Sequence, residues 1–163
     1  MRPTLGARPS RRVIWAEDAL DDQFLIRQSI NQMRGAPEVT FTGDGAQFLE
    51  AVQRRMPDLA VLDVNMPVLD GLSSLRRLRA DPRTRHLPAI VFSTARDERD
   101  VQVAQELGVA DFVQKPSSFD DFARAVARIL AHAQPAGHGD AALLPAAGRA
   151  WGPVGRGRPS LRE

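Results

Sequence analysis

The sequence predicts an α/β fold, a doubly wound five-stranded parallel sheet with helices on both faces. Three observations predict it. Short strand-like stretches at residues 13–16, 39–41, 59–62, 87–92 and 111–114 alternate with five longer stretches of helical spacing, the pattern of strand, crossover helix, strand. The third run opens LAVLDVNMPVLDG (59–71) and is apolar at four consecutive positions, as suits a strand covered on both faces. Four of the runs deliver acids, hydroxyls or an amine at their carboxyl ends, where open α/β sheets collect reactive groups.

Each element follows from its residues. Residues 1–10 (MRPTLGARPS) mix Pro, Gly and Arg without periodicity and read as a disordered lead. Residues 13–16 form a first strand ending in Glu17 and Asp18. A helix over 20–34 carries Phe24, Leu25, Gln28, Ile30 and Met33 at helical spacing, and Gly35, Ala36 and Pro37 stop it. After a brief strand at 39–41, the turn Gly43, Asp44, Gly45 opens a second helix with Phe48, Leu49 and Val52 on one face. Pro57 and Asp58 break into the central strand, which ends at Asp63 because Pro67 and Gly71 force a connection. A third helix over 72–80 turns Leu72, Leu75 and Leu78 inward and Arg76, Arg77 and Arg79 outward. The fourth strand delivers Ser93 and Thr94. A helix over 97–107 then closes at Gly108, a left-handed cap. The fifth strand leads to Lys115 and Pro116, and Ser118 caps a last helix with Phe119, Phe122, Val126, Ile129 and Leu130 inward. Beyond Gln134 the chain is rich in Ala, Gly, Pro and Arg, so the expected organisation is one domain over 11–134 and a disordered tail over 135–163 with no effector domain.

Composition narrows the function classes. At 163 residues there is room for one core and not for two ordinary domains. With no cysteine there is neither a disulfide framework nor a thiolate metal site, and a cytoplasmic location is expected. No run reaches the length of a membrane span. Arg11 and Arg12 are followed at once by acids rather than by the apolar stretch of an export signal. The formal charge of +2 belongs to the ends, whose Arg residues lack aromatic interleaving and read as solvated tails rather than a nucleic-acid arm. Among 22 basic residues only Lys115 is a lysine. It is either a chance survivor of a compositional bias or a position that needs a compact ammonium instead of a planar fork.

In such a sheet every strand's carboxyl end faces one rim, so Glu17, Asp18, Asp63, Ser93, Thr94 and Lys115 are expected together. Three carboxylates at one edge repel each other, and a hard divalent cation relieves that repulsion; oxygen ligands with waters favour Mg²⁺. The lone Lys and a hydroxyl leave a place for one more anionic group. A phosphoryl group on Asp63 fits it.

These residues resemble a known family, the receiver domain of two-component response regulators. WAED, LAVLDVNMPVLDG, FSTA and GVADFVQKPSS stand in the family's order and spacing over residues 11–132. The resemblance implies a flavodoxin-like, CheY-like sheet of order 2-1-3-4-5 and a stand-alone switch in a phosphorelay. It implies Asp63 as phosphoacceptor from a histidine kinase, with Mg²⁺ held by Asp18, Asp63 and the backbone carbonyl of Asn65, and by Glu17 through water. Ser93 would be the switch hydroxyl, with Thr94 the alternative, Lys115 the phosphoryl-contacting lysine, Phe112 the switch aromatic, and Pro116 a cis-proline. PSSFDDFARAV looks similar to single-domain receivers of phytochrome-type sensor kinases, some of which dimerise, so a homodimer and an unknown downstream protein partner are admitted.

Two other functions compete. A metal-dependent phosphatase with an aspartyl nucleophile would carry a second Asp two residues on, where this chain has Asn65, which exchanges no proton near neutral pH. A phosphorylation-independent protein-binding module would keep the fold alone. On the leading reading the protein is not an enzyme acting on a separate substrate.

Overall fold

A computed structural model describes residues 11–95 and 97–133. The expected lead over 1–10 and tail over 135–163 lie outside the described residues. Ten elements follow in strict alternation: β1 (Arg12–Ala16), α1 (Leu20–Asn31), β2 (Glu38–Thr42), α2 (Gly45–Arg54), β3 (Leu59–Leu62), α3 (Gly71–Ala80), β4 (Ala89–Ser93), α4 (Glu98–Glu106), β5 (Asp111–Gln114) and α5 (Phe119–Leu130). The strands make one parallel sheet in the order β2-β1-β3-β4-β5. The predicted fold class is therefore the observed one.

Strand alternation splits the core into two layers. Val13, Trp15, Leu59, Val61, Ile90, Phe92 and Val113 face one way and pack with Ile26 of α1 and with Phe122, Val126, Ile129 and Leu130 of α5. Ile14, Ala16, Ala60, Leu62 and Ala89 face the other way against Phe48 and Val52 of α2 and Leu75 and Leu78 of α3. Val91 and Phe112 continue that second layer against Leu72 of α3 and Ala104 of α4. β3 is fully covered, as its unbroken apolar run requires.

Helix starts follow local chemistry. The side chains of Asp44, Asp70, Asp97 and Ser118 accept hydrogen bonds from backbone N–H groups in the first turns of α2, α3, α4 and α5. Gly108 closes the α4 end at φ +68, the left-handed geometry its sequence position predicts. Val68, in the β3–α3 connection, also has positive φ, which is strained for a β-branched residue.

Two expectations about faces are corrected, and the face of α1, which helical spacing alone leaves open, is settled. On α1 the buried residues are Ile26 and Ser29, whereas Phe24 is exposed, because the helix turns its Ile26 stripe to the sheet. Phe119 is exposed too, being the first residue of α5 and above the reach of the core. Arg79 does not point to solvent. Its guanidinium donates to the carbonyls of Arg85, Leu87, Leu107 and Gly108 and ties the α3–β4 connection to the end of α4.

Candidate functional site

Register places the site. Ala16 pairs with Leu62, so the next residues, Glu17 and Asp63, stand side by side at the rim. The ladder runs one residue past each strand: Glu17 N–H donates to Thr42 O at 2.9 Å, Asp63 N–H to Ala16 O at 3.0 Å, and Lys115 N–H to Ser93 O at 2.9 Å. Glu17, Asp63 and Lys115 thus continue the alternation of Trp15, Val61 and Val113 and sit over the layer beneath α1 and α5. Ser93 continues Val91, on the opposite layer.

Two carboxylates side by side in a water-poor rim repel, and one ammonium holds them together. Lys115 Nζ donates to Glu17 Oε2 at 2.7 Å and to Asp63 Oδ2 at 2.6 Å, and also to Asp22 Oδ2 of α1 at 2.7 Å. The Lys115 side chain is only 5% exposed, so the pairs are shielded from water. Burial alone would lower its pKa; hydrogen bonds to Asp22, Asp63 and Glu17 overcome this and hold it above the ordinary lysine value. Glu17, fully buried, is pushed up from 4.5 to about 7 by loss of hydration, against the pull of Lys115 and with help from the Asp63 charge.

That shift sets a pH dependence for the metal-free protein. A carboxyl with a raised folded pKa binds its proton more tightly when folded than when unfolded, so stability falls as pH rises from 4.5 to about 7. The loss is on the order of 3 kcal/mol. Thermal melts in chelator are expected to show a falling midpoint between pH 5 and pH 7.5, a fall that Glu17→Gln abolishes.

Carboxylate oxygens of Glu17, Asp18 and Asp63 lie within 4.8 Å of one another. Asp18 is exposed while Glu17 and Asp63 are buried, so the cluster opens on one side to solvent. An all-oxygen donor set with an open side fits a hard divalent cation. Asn65 is exposed, and its backbone N–H donates to Asp63 Oδ1 at 3.2 Å.

The other predicted residues divide. Ser93 is fully buried and its Oγ has no hydrogen-bond partner among the described residues. Thr94 is exposed, and its carbonyl accepts from Gln114 Nε2 at 3.2 Å. Phe112 is buried with Val91, Val64, Leu72 and Ala104, on the sheet face that Ser93 shares. Pro116 is corrected: no cis peptide bond occurs among the described residues, so the bond preceding it is trans. Trans is the ordinary preference by about 0.5–1 kcal/mol, and Lys115 reaches its three partners without departing from it. His86 and His132 are exposed and belong to no cluster of ligand groups. Sequence reasoning missed Asp22, whose only signal is its place four residues after Asp18, in the first turn of α1.

A profile of the response regulator receiver domain matches residues 13–127. The chain is 35% identical over 111 residues to protein-glutamate methylesterase/protein-glutamine glutaminase 1 of Syntrophomonas wolfei, covering 67% of this chain and 31% of that protein. It is 40% identical over 126 residues to the transcriptional regulatory protein CseB of Streptomyces avermitilis, covering 77% of this chain and 50% of that protein. It therefore spans about a third to a half of the length of these relatives. Among solved structures, the phosphorylated cyanobacterial phytochrome response regulator RcpA superposes with a TM-score of 0.68 at 26% identity, covering 74% of this chain and 91% of that one.

Proposed function

Because the chain belongs to the response regulator receiver domain family, whose members generally take phosphate from histidine kinases and act on downstream partners, we propose that it is a phosphorylation switch whose phosphoacceptor is Asp63. The observation that carries this reading is the 2.6 Å bond from Lys115 Nζ to Asp63 Oδ2, between residues 52 apart in the chain, beside a cluster of three carboxylates. An Asp63 carboxylate oxygen would form a new bond to phosphorus. The bond from phosphorus to the donor would break, and the leaving group would depart with its electron pair, as acetate when the donor is acetyl phosphate. Later attack by water would break the Asp63 O–P bond, return the electron pair to the carboxylate and release inorganic phosphate. The protein would turn over no substrate beyond this cycle.

Each residue has a task in that cycle. The Lys115 ammonium neutralises charge on the phosphoryl oxygens, and the unpartnered Ser93 hydroxyl has a hydrogen bond to give. Mg²⁺ would be held by Asp18, Asp63 and the Asn65 carbonyl, with Glu17 acting through water, and would supply the remaining neutralisation. Engagement of Ser93 would be felt by Phe112, which shares its sheet face, and so by the surface of α4, β5 and α5. Beside the acidic rim the start of α1 exposes Leu20 and Phe24, an apolar surface suited to a kinase docking there. The likeness to RcpA supports a phytochrome-type sensor as that kinase, and a homodimer through the α4, β5 and α5 surface is one way to signal. The reading places the switch in the cytoplasm; among the described residues no helix is long and apolar enough to cross a membrane.

The test is incubation with Mg²⁺ and acetyl phosphate, followed by intact-mass analysis. Wild type is expected to gain one phosphoryl group and Asp63→Asn none. Equal gain in both overturns the assignment of Asp63.

A further inference from the structure

Lys115 has three N–H groups, and each is given to a different carboxylate. Two of these, on Glu17 and Asp63, belong to the sheet rim. The third, on Asp22, comes from the first turn of α1 and is the most exposed of the three, with 26% of its side chain accessible. That turn is tied to the same rim: Ala19 N–H donates to Glu17 Oε1 at 3.1 Å, and Gln23 Nε2 donates to the Glu17 carbonyl at 2.7 Å. Asp22 is therefore held in place by the residue it shares Lys115 with.

A lysine has a flexible four-carbon stem and a point charge, so two partners on one side leave its ammonium free to rock; a third from α1 fixes it. We propose that Asp22 is a positioning residue that holds the Lys115 ammonium over Asp63 for phosphoryl uptake, an inference that rests on the phosphoacceptor reading above. Asp63 loses carboxylate charge once it is esterified, and Lys115 must then turn one N–H to a phosphoryl oxygen. Asp22 and Glu17 keep the ammonium at the rim while that exchange takes place. Asp22 lies outside the cluster of Glu17, Asp18 and Asp63, so its task concerns the ammonium and not the cation. The neighbouring Asp21 offers the internal comparison. It sits in the same helical turn with the same charge, is exposed, and makes no bond to Lys115. An effect of charge on the helix start would be common to both.

Lys115 is the sole lysine, so lysine labelled at Cε gives a single assignable side-chain resonance in the full chain. In chelator, Asp22→Ala is expected to move that resonance and broaden it, while Asp21→Ala leaves it in place. With Mg²⁺ and acetyl phosphate, Asp22→Ala is expected to slow phosphoryl uptake about tenfold. Asp22→Asn, whose side-chain oxygen still accepts the bond, should stay within about threefold of wild type, and the Mg²⁺ concentration for half-maximal rate should not change. An unmoved lysine resonance, an uptake rate equal to wild type, or an equal effect of Asp21→Ala overturns the proposal. Should Asp22→Ala fail to fold, Asp22→Ser, whose hydroxyl is too short to reach the ammonium, takes its place in the resonance test with the same expected shift, and an unmoved signal there overturns the proposal as well. Wild type that gains no phosphoryl group would sink the phosphoacceptor reading instead, and the resonance would still decide whether Asp22 fixes Lys115.

Discussion

Lys115→Met is expected to slow phosphoryl uptake from acetyl phosphate on the order of 100-fold, the scale of losing one fixed donor to a developing anion. Methionine keeps the length and apolar stem of lysine, so the change removes charge with little change in packing. It leaves Glu17, Asp22 and Asp63 without the cation that each is bonded to, two of them buried. Removing one partner of a buried ion pair costs about 3–5 kcal/mol, because the remaining charge is uncompensated. In chelator the variant should melt well below wild type, and Mg²⁺ should recover more stability in the variant than in wild type. Lys115→Arg is expected to rescue poorly. Its charge is retained, but a planar fork cannot point three donors at carboxylates arriving from β1, β3 and α1. Uptake by Lys115→Met within about threefold of wild type would show that the ammonium is not part of the reaction.

What the sequence makes legible tracks the range of the interaction. β3 is readable because four consecutive apolar residues have one good environment, the middle of a covered sheet, and Asp63 is readable because it ends that run. The single sheet with a core layer on each face follows from strand and helix periods alone. Asp22 is not readable: an acid in the first turn of a helix already has a local reason to be there, and only the arrival of Lys115, the residue after β5, at the start of α1 gives it a second. Arg79 escapes for the same reason, since its partners are backbone carbonyls supplied by a loop and by the end of another helix. Phe24 and Phe119 mark the limit of periodicity, which fixes the spacing of a stripe without fixing where a helix axis rotates or how far the core reaches along it. The trans bond before Pro116 departs from an expectation that rested on resemblance and not on any local demand of the residues.

Gly71→Ala is expected to cost about 3 kcal/mol or more of stability and to abolish phosphoryl uptake, through one contact. Gly71 opens α3, and its N–H donates to Val64 O at 2.9 Å, folding the β3–α3 connection back on itself. A methyl at this position would overlap the backbone carbonyl of Asp63 and crowd the Cα of Val64. Both obstacles are main chain, so no rotamer change relieves them and either α3 or the end of β3 must move. The helical gain from replacing Gly by Ala, about 0.5–1 kcal/mol, is too small to offset that. The displaced group is the carbonyl of the phosphoacceptor itself, so stability and reactivity should fall together. Gly35→Ala is the contrasting variant: it has positive φ and nothing within 4 Å, so it should cost stability and leave uptake untouched. Urea unfolding and acetyl phosphate labelling of both variants check the argument. Normal labelling of a stable Gly71→Ala protein would mean that the start of α3 does not brace Asp63.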